Sequence, residues 1–188
     1  MVLIDDDCVY LTQSTLIRGL SKKMYCVLCD ISFNVNDLRN CAVESTFLAK
    51  SADGIHYKKI NYKSVISKVK NDFPDKFSSI QAHIAGAAVK KHVESFNAYV
   101  ELLNKIIDGK YDRPVHRPKK HDNRLHNIII PQQSINSSKK KLKKGYIELP
   151  LSRNYKKNLE SKNYRPRIKI PENIRDKNIV QVEIIPIN

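Results

Sequence analysis

The sequence predicts an α+β fold in which a short strand region, three or four helices and a small β-barrel-like unit follow one another along the chain. Three observations predict it. Residues 9–20 are rich in β-branched and aromatic side chains, residues 21–108 place apolar side chains at helical spacing, and from residue 109 onward prolines separate short β-branched runs. With 188 residues, 41% of them hydrophobic, the chain can bury one core or two small ones that share contacts.

Val9, Tyr10, Leu11 and Thr12, then Thr15, Leu16 and Ile17, favour one or two short strands ended by Gly19. Ser21 is placed to cap a helix starting at Lys22, because a serine hydroxyl can accept a first-turn amide hydrogen. Met24, Val27, Leu28 and Ile31 form its apolar stripe. Phe33, Val35, Leu38, Cys41 and Ala42 continue the pattern, with a break expected near Asn34. Ser51-Ala52-Asp53-Gly54 reads as a loop. A shorter helix covers Tyr62 to about Lys70, with Val65, Ile66 and Val69 inward and Phe73-Pro74 interrupting it. The clearest periodicity runs from Ser78 to Ile107 through Ile80, Ile84, Ala88, Phe96, Val100 and Leu103, and Asp108-Gly109 supplies the stop. Beyond it, Pro114, Pro118, Pro131, Pro150, Pro166, Pro171 and Pro186 exclude long helices. The strand-like runs between them are 128–130, 146–149, 168–170 and 179–185, the last alternating with Val180, Val182 and Ile184 on one face. Ser137 to Lys144, with five lysines among eight residues, reads as an exposed basic turn.

The formal net charge is +15 and it is unevenly placed. Residues 1–108 hold 14 Lys/Arg against 12 Asp/Glu, whereas residues 109–188 hold 20 against 7. A concentrated positive field repels itself unless a polyanion neutralises it, and phosphate contacts gain further from counterion release. Nucleic acid is the expected partner; a merely solvated basic surface and an acidic membrane are the alternatives. The mixed clusters Lys110, Tyr111, Arg113, Arg117, Lys119 and Lys120, then Arg153, Tyr155, Lys156 and Lys157, then Tyr164, Arg165 and Arg167 suit phosphate contact with aromatic stacking. Arg18, Lys22, Lys23 and Arg39 add cations ahead of them.

No apolar run approaches the roughly 20 residues a membrane helix needs. The acidic start Asp5-Asp6-Asp7 has no basic flank, so a cytoplasmic address is expected, with nucleoid association when DNA is bound. Cys26 and Cys29 have zinc half-site spacing, but neither a second Cys-x-x-Cys nor a His-x-x-x-His accompanies them. They are expected to pack in the core, and no disulfide or metal site is expected. The six histidines show no repeated metal spacing, and no Gly-rich phosphate loop or nucleophile elbow is present. No catalytic residue is assigned.

Several stretches carry a family resemblance. Tyr10-Leu11-Thr12-Gln13-Ser14-Thr15-Leu16-Ile17-Arg18-Gly19-Leu20-Ser21 closely resembles the opening of OrfB/TnpB-type proteins of bacterial insertion sequences. Leu38-Arg39-Asn40-Cys41-Ala42 sits where that family has Leu-Tyr-Asn-x-Ala, and Val93-Glu94-Ser95-Phe96-Asn97-Ala98-Tyr99 is similar to its long-helix segment. Gly145 to Arg153, Ile168-Lys169-Ile170-Pro171 and Ile179 to Pro186 follow in family order, so the likeness runs from Tyr10 to Asn188. The resemblance implies an oligonucleotide-binding-like β-barrel, the wedge, with an inserted helical bundle. Its first strands would be residues 1–20, the helical recognition insert 21–108 and the remaining wedge strands 109–188. It also implies a guide RNA and a target DNA duplex as ligands, as in the related type V CRISPR effectors. The family's three catalytic carboxylates and their Mg²⁺ ions belong to a RuvC-like domain that this sequence stops short of, so a separate RuvC-like polypeptide is the implied partner. A stand-alone RNA- or DNA-binding regulator, or a transposase remnant without nuclease activity, is the alternative reading. An unrelated ribosomal-type RNA-binding protein is the third. Gly86-Ala87 replaces the Gln-Gln pair found in many relatives, which weakens any expectation of base-edge readout there.

Overall fold

The computed structural model describes residues 12–135, 142–159, 164–175 and 177–187. Helix α1 (Lys22–Glu44) begins where the Met24 amide donates to the Ser21 hydroxyl at 3.2 Å. It runs without the break expected near Asn34. The polar residues on either side of Asn34, Ser32 and Asn36, are buried on the helix and bonded to a later segment, which satisfies their side chains. Helix α2 (Tyr62–Asp72) is capped by Asn61, and Pro74 opens the short α3 (Pro74–Ser79).

The expected single helix from Ser78 is two helices. Ile80 is extended (φ −116°, ψ 168°), and Gln81 starts α4 (Ala82–Ile107) by accepting from the His83 and Ile84 amides. α4 ends as its sequence predicts. Gly109 takes φ +68°, its amide donates to Ile106, and the Lys110 amide donates back to Lys105 at 2.8 Å. Glycine alone takes this left-handed turn without steric cost.

α1 and α4 pack against each other, with α2 and α3 on their flanks. Phe96, Leu38, Ile84, Val69 and Val100 are fully buried between them. Leu103, expected on the same stripe, is half-buried. Gly86 lies under Tyr62, and a Cβ there would sit 3.1 Å from the tyrosine hydroxyl. Gly86 is thus part of the contact between α4 and α2, where a side chain would crowd the tyrosine hydroxyl.

The loop before α2 is held by asparagines of α4. Asn97 accepts from the Ile60 amide (2.8 Å) and donates to its carbonyl (3.0 Å), and Asn104 treats Tyr57 the same way at 2.9 and 3.0 Å. His56 bridges Asp53 (2.6 Å) and Asp108 (2.8 Å), which ties the loop to the end of α4.

Beyond α4, strand β1 (Ile128–Pro131) lies on α4, and β2 (Tyr146–Glu148) precedes the short helix α5 (Arg153–Lys157). β3 (Arg167–Lys169) and β4 (Gln181–Ile184) follow. β1 pairs antiparallel with β4, Ile130 opposite Val182; β2 pairs antiparallel with β3, Ile147 opposite Ile168. Gly145, at φ +78°, admits the Arg175 guanidinium, which a Cβ would meet at 2.9 Å. Ile128, Ile130, Ile147, Leu149, Ile168 and Ile170 join the helical residues in one core, so the fold is mixed α+β.

The described strands form two separate two-stranded sheets, with no closed barrel among the described residues. Other expectations need correction. Thr12 to Leu20 carries no strand among the described residues; its side chains are exposed apart from Ile17, so no apolar face holds it in a ladder, and residues 9–11 lie outside the description. Most of the expected basic turn, residues 136–141, also lies outside it, and Leu142 is buried rather than exposed. Cys41 is a core residue, but Cys29 is only half-buried and Cys26 is exposed, because the buried stripe of α1 runs through Val27 and Leu28 instead. Among the described residues no helix is long and apolar enough to cross a membrane.

Candidate nucleic-acid interface

Residues 117–126 form an extended strap along α1, held by a polar row on that helix. Ser32, Asn36 and Asn40 recur every four residues and therefore share a face. The Ser32 hydroxyl donates to the His126 carbonyl (2.6 Å) and accepts from its amide (2.7 Å). Asn36 and Asn40 both donate to the His121 carbonyl, at 2.6 and 3.0 Å, and Asn40 also accepts the His121 amide. The amides and carbonyls of His121 and His126, which lie outside secondary structure, thus find side-chain partners. The sequence shows this row only as polar residues on a buried stripe.

Several of the expected contact residues hold the fold itself. Arg117 donates to the Thr46 carbonyl at 2.6 Å and lies 5.5 Å from the Phe96 ring centre. Lys120 pairs with Glu44, and Lys110 with Asp108 at 3.0 Å. Arg167 reaches Glu148 at 3.5 Å and covers the Tyr146 ring. The Tyr155 hydroxyl donates to Asp30 at 2.7 Å, and burial followed by that bond raises its pKa. Tyr111 is half-buried.

Several of the others gather around α1 and α5. The Lys23 ammonium lies 4.7 Å from the Tyr164 ring centre, and the Tyr164 hydroxyl meets the Met24 sulfur. Tyr155 tethers α5 to the same helix, and Asn154 and Ser152 tie it to Ser78 and Ser79. Lys22 and Lys23 therefore share a region of the molecule with Arg153, Lys156 and Lys157 of α5 and with Arg165. None of these six has an ion-pair partner among the described residues. Arg18 is exposed ahead of them, and Arg113 and Lys119 are exposed on the segment after α4, also without ion pairs. A groove of about 490 Å³ beside α5 carries Asp30 and Asp75 with Asn34, Asn154 and Phe33, and its carboxylates disfavour phosphate.

A second cationic group surrounds Arg39, and sequence reasoning found only that one member. Its guanidinium makes no hydrogen bond or ion pair among the described residues, and its Nε is buried. Burial, and then the charge of Arg124, lower its pKa. His126 Nδ1 is likewise buried without a partner. Burial and then Arg39 push the His126 pKa down to about 4, with the Asn127 backbone partly opposing. His92, its Nε2 3.1 Å from the Thr46 hydroxyl, is also pushed down to about 4, by burial, Arg39 and Arg117. Arg39, His126 and Lys91 of α4 line one small cavity together with Asn127 and Glu183.

Among the described residues no three His, Cys, Asp or Glu side chains gather as metal ligands. No protein-family model matches the chain, and no curated protein and no solved structure matches it.

Proposed function

We propose that this chain binds nucleic acid as the non-catalytic portion of a TnpB-like RNA-guided DNA endonuclease, holding guide RNA and the target duplex. In this reading the strands of residues 109–187 belong to a wedge-type barrel, the helices form its recognition insert, and a separate RuvC-like subunit supplies the Mg²⁺-dependent chemistry. One observation carries the binding claim: the excess of cations in residues 109–188, 20 Lys/Arg against 7 Asp/Glu, includes α5 and Arg165 cations that no carboxylate neutralises among the described residues. The family assignment rests on the ordered sequence motifs. Gly86 buried under Tyr62 speaks against base reading from that part of α4, which leaves phosphate contact as the main mode.

The test is RNA binding across a salt series. A structured RNA should bind with a log–log salt slope that flattens by about 2–3 on reversing Arg153, Lys156 and Lys157 to Glu, since each phosphate contributes roughly 0.7–0.9. An unchanged slope overturns the interface. RNA that co-purifies with the chain should derive from the end of its own genetic element. A random cellular profile removes the guide-RNA reading and leaves the stand-alone binding module.

A further inference from the structure

We propose that the cavity between α1, α4 and the start of β1 is a phosphate-oxyanion site, with Arg39 as its main ligand and Lys91 and His126 completing it. The ligand is one phosphate group, either a phosphodiester of a nucleic-acid backbone or free inorganic phosphate. The first source rests on the nucleic-acid reading above; the second does not.

Three observations converge on this cavity. The first is an unmet demand for hydrogen bonds. Buried nitrogens are almost always paired, yet Arg39 Nε and His126 Nδ1 are both buried without partners, and both residues line the same space. The second is charge. A half-buried guanidinium normally acquires a carboxylate, because an unneutralised charge in a low-dielectric site is costly. Arg39 has none within ion-pair distance, and the charge of Arg124 acts on it while its own charge acts on His92 and His126. Lys91 adds a third charge; its ammonium is 3.7 Å from Glu94. Glu183 also lines the cavity and opposes an anion there; Asn127 donates to it at 2.8 Å, and the cations Arg39, Arg124 and Lys91 outnumber it. The third is size. The enclosed space measures about 40 Å³, room for a phosphate oxygen and not for a nucleobase, so the rest of the phosphate stays at the rim beside the exposed Lys91.

The geometry suits phosphate better than a planar carboxylate. Arg39 approaches from α1, Lys91 from α4 and His126 from the strap, so donors come from three elements toward a tetrahedral group. An arginine fork offers two parallel N–H bonds to phosphate oxygens, which lysine cannot reproduce. His126 carries its proton on either ring nitrogen at neutral pH, and a bound oxyanion selects the Nδ1–H form.

The experiment uses the full chain. Melting temperature and ¹⁵N–¹H spectra are followed as inorganic phosphate is added, with chloride and acetate at matched ionic strength as controls. Phosphate should raise the melting temperature in a saturable way and shift the Arg39 Nε and His126 ring signals, because a ligand that binds only the folded chain stabilises it. Arg39→Met should abolish both responses and, having lost an unneutralised buried charge, should melt no lower than wild type without phosphate. Should that variant not fold, Lys91→Met at the exposed rim serves instead, with phosphate affinity expected to drop several-fold. No saturable response in wild type, an equal response to chloride, or a full response in either variant overturns the site. The source is decided by RNA binding. A loss of fivefold or more in Arg39→Met identifies the backbone phosphate, and unchanged RNA affinity identifies free phosphate. Failure of the nucleic-acid reading registers separately, as absence of salt-dependent RNA binding in wild type while the inorganic phosphate response persists.

Discussion

The helical region and the segment that follows it differ in charge balance, 14 Lys/Arg against 12 Asp/Glu in residues 1–108 and 20 against 7 in residues 109–188. In residues 22–108, Lys59 and Lys105 both reach Glu101 (2.9 and 3.3 Å), Lys76 reaches Asp37 (2.5 Å), and Lys90 and Lys91 share Glu94. In residues 109–187, Arg113, Lys119, Arg153, Lys156, Lys157 and Arg165 reach no carboxylate among the described residues. Exposed ion pairs contribute little stability one by one, so the pairing matters less for folding than for the field it cancels. The helical surface is near neutrality and its substitutions should register in stability. The later surface keeps its field and its substitutions should register in binding.

The comparison breaks first at Phe96. Its side chain is fully buried, so Phe96→Ala should cost about 3–5 kcal/mol while leaving the salt slope of RNA binding unchanged in the folded fraction. An unchanged melting temperature would place the core elsewhere. Next is acid. His92 is 1% exposed with its pKa lowered to about 4, so the folded chain binds fewer protons than the unfolded one between pH 4 and 6.5. Its contribution is therefore complete above pH 6.5 and is lost as pH falls, by about 3 kcal/mol at most. Denaturant melts at pH 7 and pH 4.5 should differ less in His92→Gln than in wild type.

Asn97→Ala removes both partners of the Ile60 backbone and should cost about 1–3 kcal/mol. A change below 0.5 kcal/mol would mean water replaces the amide freely. Reversing Arg153, Lys156 and Lys157 should change stability by no more than about 0.5 kcal/mol. The same reversal at the exposed Lys58 and Lys63 should leave the RNA salt slope nearly intact, and equal effects at both places would erase the contrast. The smallest effect is local. Hydrogen bonds donated to Asp108 and then to Asp53 raise the His56 pKa, so its clamp is present below the ordinary histidine pKa and is lost as pH rises through the raised value. Amide exchange at Ile55 and His56 should quicken across that rise, and His56→Gln should remove the pH dependence.

Helical periodicity, the Ser21 cap, the Asp108-Gly109 stop and the four strand runs were legible in the sequence because each is a local effect of neighbouring residues. The break at Ile80 was not, since Gln81 acts as a cap only when Ser134 and His83 are bonded around it. The strap was hidden for a similar reason: Asn36 and Asn40 look like helix-weakening residues until residue 121 arrives beside them. Of the candidate interface, cation clusters were visible as composition. Which cations are already bonded, as Arg117 and Lys120 are, depends on contacts that composition does not encode. Arg39 stood out as a departure from a motif, while Lys91, Arg124 and His126 gave no signal of joining it.

The strap also orders events in time. Ser32 and His126 are separated by 94 positions, and Asn36 and His121 by 85. Contacts between helices adjacent in sequence close small loops and form early, whereas the strap closes a large one and docks late. Until it docks, His126 is wet and titrates as an ordinary histidine, and the Arg39 guanidinium is hydrated. The cavity is therefore complete only once the strap has docked, and an anion captured there acts as a latch on the docked strap.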